Sequence, residues 1–189
     1  MEGHRAAAHV GLVTVRLRAA TALDEVSLSA IRALLDAAFD GDFDDDDWDH
    51  ALGGTHALIE TADGVIAHAS VVPRVLDVGS QPVRAGYVEA VAVLPTRHGT
   101  GLGTAVMRAL GEVIAGEFEL GALSSGEWRF YERLGWERWR GPTWVRHPHG
   151  RLERSPEDDD SVMILRTPTS QAIDLFAPLT CDARPGDPW

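Results

Sequence analysis

Three alternating glycines stand where a predicted strand meets a predicted helix. Gly99, Gly101 and Gly103 follow Arg97 and His98 in the stretch PTRHGTGLGTAV. Glycine allows torsions and close approaches that a Cβ excludes, and the first amides of a helix lack partners within the helix, so they favour an anion. The pattern predicts a phosphate-binding turn. A tight turn that serves packing alone is the alternative.

Two common nucleotide-binding motifs do not match this stretch. The dinucleotide fingerprint requires G-x-G-x-x-G in an early βαβ unit, whereas these glycines are spaced by two and lie late in the chain. The P-loop ends in G-K-[ST], whereas Thr104 follows Gly103 directly. The sequence therefore favours an anion site of another kind.

Two further residues could transfer protons. Glu89 lies in the apolar strand YVEAVAV, where an unpaired charge is costly, so it is either a general base or half of a structural ion pair. Strict alternation along this strand predicts Tyr87, Glu89, Val91 and Val93 on one face. Tyr131, in FYERLGW, is either a core residue or a proton donor.

Composition limits the classes of partner. The chain carries 17 basic and 29 acidic residues, a net charge of −12, which excludes a phosphate backbone as partner. Two acidic clusters, DGDFDDDDWD at 40–49 and ERSPEDDD at 153–160, are either solvated loops or a site for a cation. The eight histidines show no ligand spacing, so we expect no metal site.

One domain, 1–189, accounts for the length and the apolar content. No apolar run approaches the roughly 20 residues that cross a bilayer, so we expect no membrane partner. The single cysteine, Cys181, fits a reducing cytoplasm.

Hydrophobic periodicity predicts a mixed α/β sheet. Strands are predicted at 10–17, 56–60, 65–72, 75–78, 83–94, 118–123 and 162–165, with one more near Val145 inside a loop over 141–156. Helices are predicted at 25–39, 102–116 and 127–134, the last ending at Gly135. The aspartate tract is predicted as a loop, and no structure is assigned to the last twenty residues.

The combination of HGTGLG, the helix TAVMRALGEVI, the preceding YVEAVAVLP and the later FYERLGW resembles the GCN5-related N-acetyltransferases. The resemblance implies a single α/β domain with a mixed, mostly antiparallel sheet flanked by helices, whose splayed central strands bind acetyl-CoA. The family motif is [Q/R]-x-x-G-x-[G/A], and His98 stands at its first position here. The implied coenzyme A residues are Val91, Val93, Arg97, His98, Gly99, Gly101, Gly103 and Thr104.

Further blocks resemble the aminoglycoside 2′-N-acetyltransferases: GDF with WDHALGG, GYVEAVAV, GALSS, RGPTWV, DDD and the ending GDPW. This likeness implies acetylation of the 2′-amine of an aminoglycoside, hence antibiotic resistance, with Glu89 as a water-mediated general base and Tyr131 as general acid. It also implies a possible homodimer. The implied substrate residues are Asp42, Ser124, one aspartate of 158–160 taken as Asp159, Asp187, and Trp189 with its carboxylate.

The sequence is also compatible with two other functions. The natural substrate of the same chemistry could be another polyamine or an amino sugar. Alternatively, the protein could be a catalytically silent sensor that binds coenzyme A or an antibiotic. The presence of both Glu89 and Tyr131 speaks against a silent sensor.

Overall fold

The computed structural model describes residues 14–189, so residues 10–13 of the first predicted strand lie outside it. The elements in chain order are β1 (Arg16–Ala19), α1 (Glu25–Ala38), α2 (Asp45–Ala51), β2 (Thr55–Thr61), β3 (Gly64–Val78), β4 (Gln81–Val93), α3 (Leu102–Glu117), β5 (Leu120–Ser124), α4 (Trp128–Glu132), β6 (Glu137–Arg138), β7 (Thr143–Arg146), β8 (Leu152–Arg154), β9 (Val162–Arg166) and β10 (Leu179–Asp182). Within this range, no helix is long and apolar enough to cross a membrane.

One mixed sheet joins all ten strands. The long strand β3 is its centre, because it pairs with β4 on one side and with β2 and then β10 on the other. All pairings are antiparallel except β4 with β5 and β7 with β10. The mixed, mostly antiparallel α/β sheet expected from the sequence is therefore confirmed. The two segments predicted at 65–72 and 75–78 are one strand that continues through Pro73.

The two faces of the sheet bury different partners. Helix α3 packs on one face through Val106, Leu110 and Ile114 against residues such as Ala69 and Val71. The opposite face is covered at one end by α1 and α2, and at the other by the segment that follows β10. The elements that approach the end of β4 from both faces are thus held by separate apolar clusters.

Helix α2 begins within the aspartate tract, so the prediction of a loop was wrong from Asp45 onward. Asp44 accepts from the Asp47 amide while the Asp47 carboxylate accepts from the Asp44 amide. This reciprocal cap satisfies two amides, and the aspartates of the first turn interact favourably with the positive end of the helix dipole. The aspartate tract therefore contains the N-terminus of a helix as well as a cluster of negative charge.

Strand β4 contains a bulge at Ala90. The register with β3 shifts by one residue between His68 and Ser70, and Ala90 has a left-handed φ of 51°. The bulge reverses the alternation, so Val91 and Val93 pack on the α3 face whereas Tyr87 packs on the opposite face. The prediction of one shared face was wrong because an extra residue changes which side each later side chain points to.

Residues after β7 contribute to the sheet and to the core. Strand β10 pairs with both β3 and β7, although no strand is predicted for this segment from the sequence. Trp189 is only 3% exposed, and its indole Nε1 donates to Ser155 Oγ at 3.1 Å. The final residues are therefore part of the packed structure.

Candidate active site

A cleft of about 1070 Å³ opens between the end of β4, the start of α3 and the residues around α4. All the predicted cofactor residues line it, together with Glu89, Tyr131 and Ser124. It is also lined by Phe39, Phe43 and Asp47 from the region of α1 and α2. One cavity thus joins the glycine turn to both proton-transfer candidates.

The floor of the cleft at the glycine turn is bare backbone. Gly99 and Gly101 have left-handed φ values of 73° and 84°, and no atom lies within 4 Å of where a Cβ would stand on either residue. Gly101 caps α3 without a side chain, so the first α3 amides stay free for an anion. Arg97 is exposed beside them, whereas the His98 ring nitrogen Nε2 lies 3.0 Å from the Val93 carbonyl.

The strands β4 and β5 separate at the cleft. They pair in parallel over Ala85–Tyr87 and Leu120–Ala122, after which the bulge at Ala90 turns β4 away. The part of β4 that carries Val91 and Val93 lines the cleft instead. A linear ligand with amide groups could pair with this stretch as a further strand would.

Glu89 forms an ion pair with Arg184 inside the protein. The Arg184 Nη1 atom donates to Glu89 Oε1 at 2.7 Å, and both side chains are about 15% exposed. Burial raises the pKa of the Glu89 carboxyl, while Arg184, Arg74 and His50 act in the opposite direction. Glu89 is therefore compatible with both interpretations of the sequence, because it forms half of an ion pair and also lines the cleft.

Tyr131 is held as a protonated phenol. It is 6% exposed, and the Phe130 and Trp136 rings pack against it edge to face. Burial raises its pKa to about 12, opposed by a hydrogen bond with Ser125. A hydroxyl with this pKa keeps its proton through the physiological range and can act as a donor to a group that gains negative charge.

The acidic residues expected at the substrate site differ in whether other groups of the protein already bind their carboxylates. Asp42 is exposed. The pKa of Asp158 is raised to about 6 by burial and by the neighbouring negative charge of Asp187. Asp159 instead accepts from the Thr143 amide and hydroxyl, each at 2.9 Å, and forms an ion pair with Arg154. The Asp159 carboxylate is therefore engaged by neighbouring groups of the protein, which makes Asp158 a second candidate for the substrate site.

Ser124 and Trp189 are both engaged with other parts of the protein. Ser124 Oγ donates to Ser161 Oγ at 2.8 Å while lining the cleft. Asp187 Oδ1 accepts from the Trp189 amide at 2.9 Å. Across residues 14–189, no group of three His, Cys, Asp or Glu side chains could hold a metal ion.

Sequence reasoning missed Arg184 and Asp47. Arg184 lies in the segment to which no structure was assigned, and its partner Glu89 is 95 residues away, so no local pattern connects them. Asp47 had a signal in the spacing of Asp44 and Asp47, which matches a helix cap.

The sequence matches a family model and a known relative. Residues 6–139 match the model of an acetyltransferase (GNAT) domain. The chain is 44% identical over 182 residues to an aminoglycoside 2′-N-acetyltransferase of Mycolicibacterium fortuitum, and the match spans 94% of this chain and 93% of the relative.

Solved structures share the fold at low identity. A GNAT family N-acetyltransferase of Escherichia coli, solved with CoA, gives a TM-score of 0.64 at 16% identity over 90% of this chain and 91% of that one. A Brucella melitensis acetyltransferase with acetyl-CoA gives 0.51 at 17% identity over 82% and 97%. A longer Kribbella flavida protein, a GCN5-related N-acetyltransferase, gives 0.54 at 22% identity over 68% of this chain and 35% of that one.

Proposed function

The chain belongs to the GNAT acetyltransferase family, and we propose that it acetylates the 2′-amine of aminoglycosides with acetyl-CoA. The observation that carries the proposal is the 44% identity, over 94% of the chain, to a relative with that activity. The cleft supports it, because one cavity contains an anion-binding turn, a buried carboxylate and a protonated phenol.

The residues of the cleft fit coenzyme A. Its pyrophosphate would lie against the bare amides from Gly99 to Thr104, with Arg97 adding positive charge, because a Cβ on Gly99 or Gly101 would meet open space. Its pantetheine arm has amide groups that would pair with β4 at Val91 and Val93. When bound, acetyl-CoA supplies an acetyl group as an activated thioester.

Glu89 would accept the proton that the amine must lose. Its carboxylate lines the cleft, and burial raises its pKa, which makes it a better base than an exposed glutamate. Arg184 opposes that shift and holds the carboxylate in one orientation. We propose that a water molecule relays the proton from the amine.

Tyr131 would supply a proton to the thiolate that leaves. Its raised pKa of about 12 keeps the hydroxyl protonated at neutral pH, and it lines the same cleft as Glu89. Removal of the hydroxyl alone should lower turnover while leaving cofactor affinity intact, because the proton is needed only in the transition state.

Carboxylates would hold the ammonium groups of the substrate. We propose Asp47 and Ser124, which line the cleft, together with Asp42, Asp158 and Asp187, which lie outside its lining. Asp158 replaces Asp159 in this set because Arg154 and Thr143 already occupy the Asp159 carboxylate. Several carboxylates favour a polycation over a singly charged amine.

A thiol-release assay with acetyl-CoA and a panel of amines tests this function. We expect turnover with aminoglycosides that carry a 2′-amine, an added acetyl mass, and an NMR shift confined to the 2′ position. Tyr131→Phe should lower kcat by roughly 10². Turnover of simple polyamines or amino sugars alone would identify another natural substrate. Binding without turnover would identify a sensor.

A further inference from the structure

Two buried histidines form a chain that ends on the bulge of β4. His56 Nδ1 lies 3.0 Å from His68 Nε2, and His68 Nδ1 lies 2.8 Å from the Ala90 carbonyl oxygen. Both histidines are 0% exposed. Neither residue lines the cleft, and the reaction proposed above uses neither of them.

The contacts assign the protons on both rings. A carbonyl oxygen can only accept, so His68 Nδ1 carries a hydrogen and donates it to Ala90. Burial lowers the pKa of His68 to about 3, so the ring is neutral and its Nε2 is an acceptor. His56 must then donate from Nδ1, which leaves its Nε2 as an acceptor. That nitrogen is buried and has no hydrogen bond of ordinary geometry among the described residues, although the Leu52 backbone acts to raise the pKa of the ring.

The carbonyl at the end of this chain belongs to a strained residue. Ala90 has a φ of 51°, a conformation that a Cβ disfavours. It directly follows Glu89 and directly precedes Val91. The Glu89 carbonyl has a weaker contact with a neighbouring hydroxyl, Ser70 Oγ at 3.4 Å. The hydrogen bond from His68 is therefore the shorter of two side-chain contacts that hold the bulge.

We propose that His68, supported by His56, is a positioning residue that fixes the bulge at Ala90 and thereby the separation of β4 from β5. The separation exposes the stretch with Val91 and Val93 to the cofactor and sets the direction of the Glu89 carboxylate. The identity of the cofactor rests on the proposed function, but the positioning role does not depend on which amine is acetylated.

Two matched substitutions separate the two ends of the His68 ring. In His68→Asn the side-chain N–H can take the place of Nδ1–H and still reach the Ala90 carbonyl, but nothing accepts from His56. In His68→Gln the longer amide can reach His56, but the donor to Ala90 is lost. A merely structural role predicts that function follows stability in both variants. The positioning role predicts that His68→Asn is the less stable variant yet binds CoA more tightly, whereas His68→Gln is the more stable variant yet binds CoA more weakly.

The measurements are CoA affinity by calorimetry, kcat with a fixed amine, and thermal unfolding. We expect His68→Asn to lose stability yet keep CoA affinity within about twofold. His68→Gln should unfold at a higher temperature than His68→Asn but bind CoA about 10-fold more weakly, the size of one lost hydrogen bond. Adding Ala90→Gly to His68→Gln should restore much of the affinity, because glycine adopts the left-handed conformation without strain.

Three results would overturn the proposal. One is unchanged CoA affinity and kcat in His68→Gln. Another is a double variant no better than the single one. The third applies even where a variant fails to fold: ¹⁵N spectra of the wild-type protein should show His68 protonated on Nδ1, and a proton on Nε2 instead would exclude donation to Ala90. If the wild-type protein itself does not bind CoA, the proposed function fails first, and the ¹⁵N spectra still decide the hydrogen bond.

Discussion

Arg184 and Glu89 form an ion pair at 2.7 Å between the C-terminal segment and the middle of strand β4. The same guanidinium donates from Nε to the Asp187 carbonyl at 2.9 Å, and its Nη2 lies 3.4 Å from the Trp189 oxygen. One side chain therefore connects the proposed base to the segment proposed to bind substrate. A substitution in that segment should therefore alter the position of the Glu89 carboxylate.

Arg184→Gln should move the acid limb of the pH profile of kcat/KM upward. Burial already raises the pKa of Glu89, and Arg184 is the leading cause that lowers it again. Without this cation the carboxylate should protonate at a higher pH, because a nearby positive charge favours the ionised form of a carboxyl group. Activity should then be lost first at low pH and persist at high pH.

Arg184→Lys is the matched control, because it keeps the positive charge but not the fork of donors. Its acid limb should stay near that of the wild-type protein. Equal acid limbs in the Gln variant and the wild-type protein would show that Glu89 is not the group whose titration limits the reaction.

Asp158→Asn should stabilise the protein and weaken aminoglycoside binding. The folded-state pKa of Asp158, about 6, is above its ordinary value of 3.8, so the folded protein binds this proton more tightly than the unfolded chain does. Stability from this group therefore falls as pH rises from about 4 to about 6 and stays low above that. At pH 7.5 the neutral amide should raise the Tm, and the gain should vanish near pH 4.

Asp159→Asn is the neighbouring comparison and should behave in the opposite way. Hydrogen bonding from Arg154 lowers the pKa of Asp159, so loss of its charge should lower the Tm at pH 7.5. The KM for the aminoglycoside should rise in the Asp158 variant more than in the Asp159 variant. The reverse order would return Asp159 to the proposed substrate site.

The sequence predicts the parts of this protein that depend on local pattern. The strand that ends at Pro95, the glycine turn and α3 follow from turn chemistry and helical spacing, and the family and fold class inferred from them are confirmed. The roles of the individual site residues stay predictions. Strand β10 could not be predicted, because its four residues form a strand only through pairing with β3 and β7.

Two features of the site depend on contacts between distant parts of the sequence. The alternation along β4 failed at Ala90, since no residue type marks a bulge that a distant imidazole helps to hold. The choice of Asp159 stays a prediction, and no local pattern shows that Arg154 forms an ion pair with that carboxylate rather than with the adjacent Asp158. Sequence spacing indicates which residues could form a site, whereas long-range hydrogen bonds determine which of those side chains are available to a ligand.

Gly101→Ala should weaken CoA binding by about 10-fold or more while the protein stays folded. The added Cβ meets no protein atom within 4 Å, so it would project into the space proposed for phosphate, and it disfavours the φ of 84°. Gly116→Ala near the other end of α3 is the control, because it also meets open space and has no left-handed φ. Calorimetry with CoA should separate the two variants, and equal affinities would remove the turn from the cofactor site.

Trp189→Ala should lower the free energy of unfolding by about 3–5 kcal/mol, the usual cost of truncating a buried tryptophan. The side chain is 3% exposed and packs in the apolar cluster with Tyr87 and Trp139. Because its indole also holds Ser155, three residues before Asp158, the KM for an aminoglycoside should rise as well. CoA affinity should change less than about twofold, since α3 packs in a separate cluster on the opposite face.

Trp189→Phe should keep most of the packing and lose about 1 kcal/mol with the indole hydrogen bond. Urea unfolding and calorimetry check these values, and an unchanged KM in a destabilised Ala variant would limit Trp189 to a structural role.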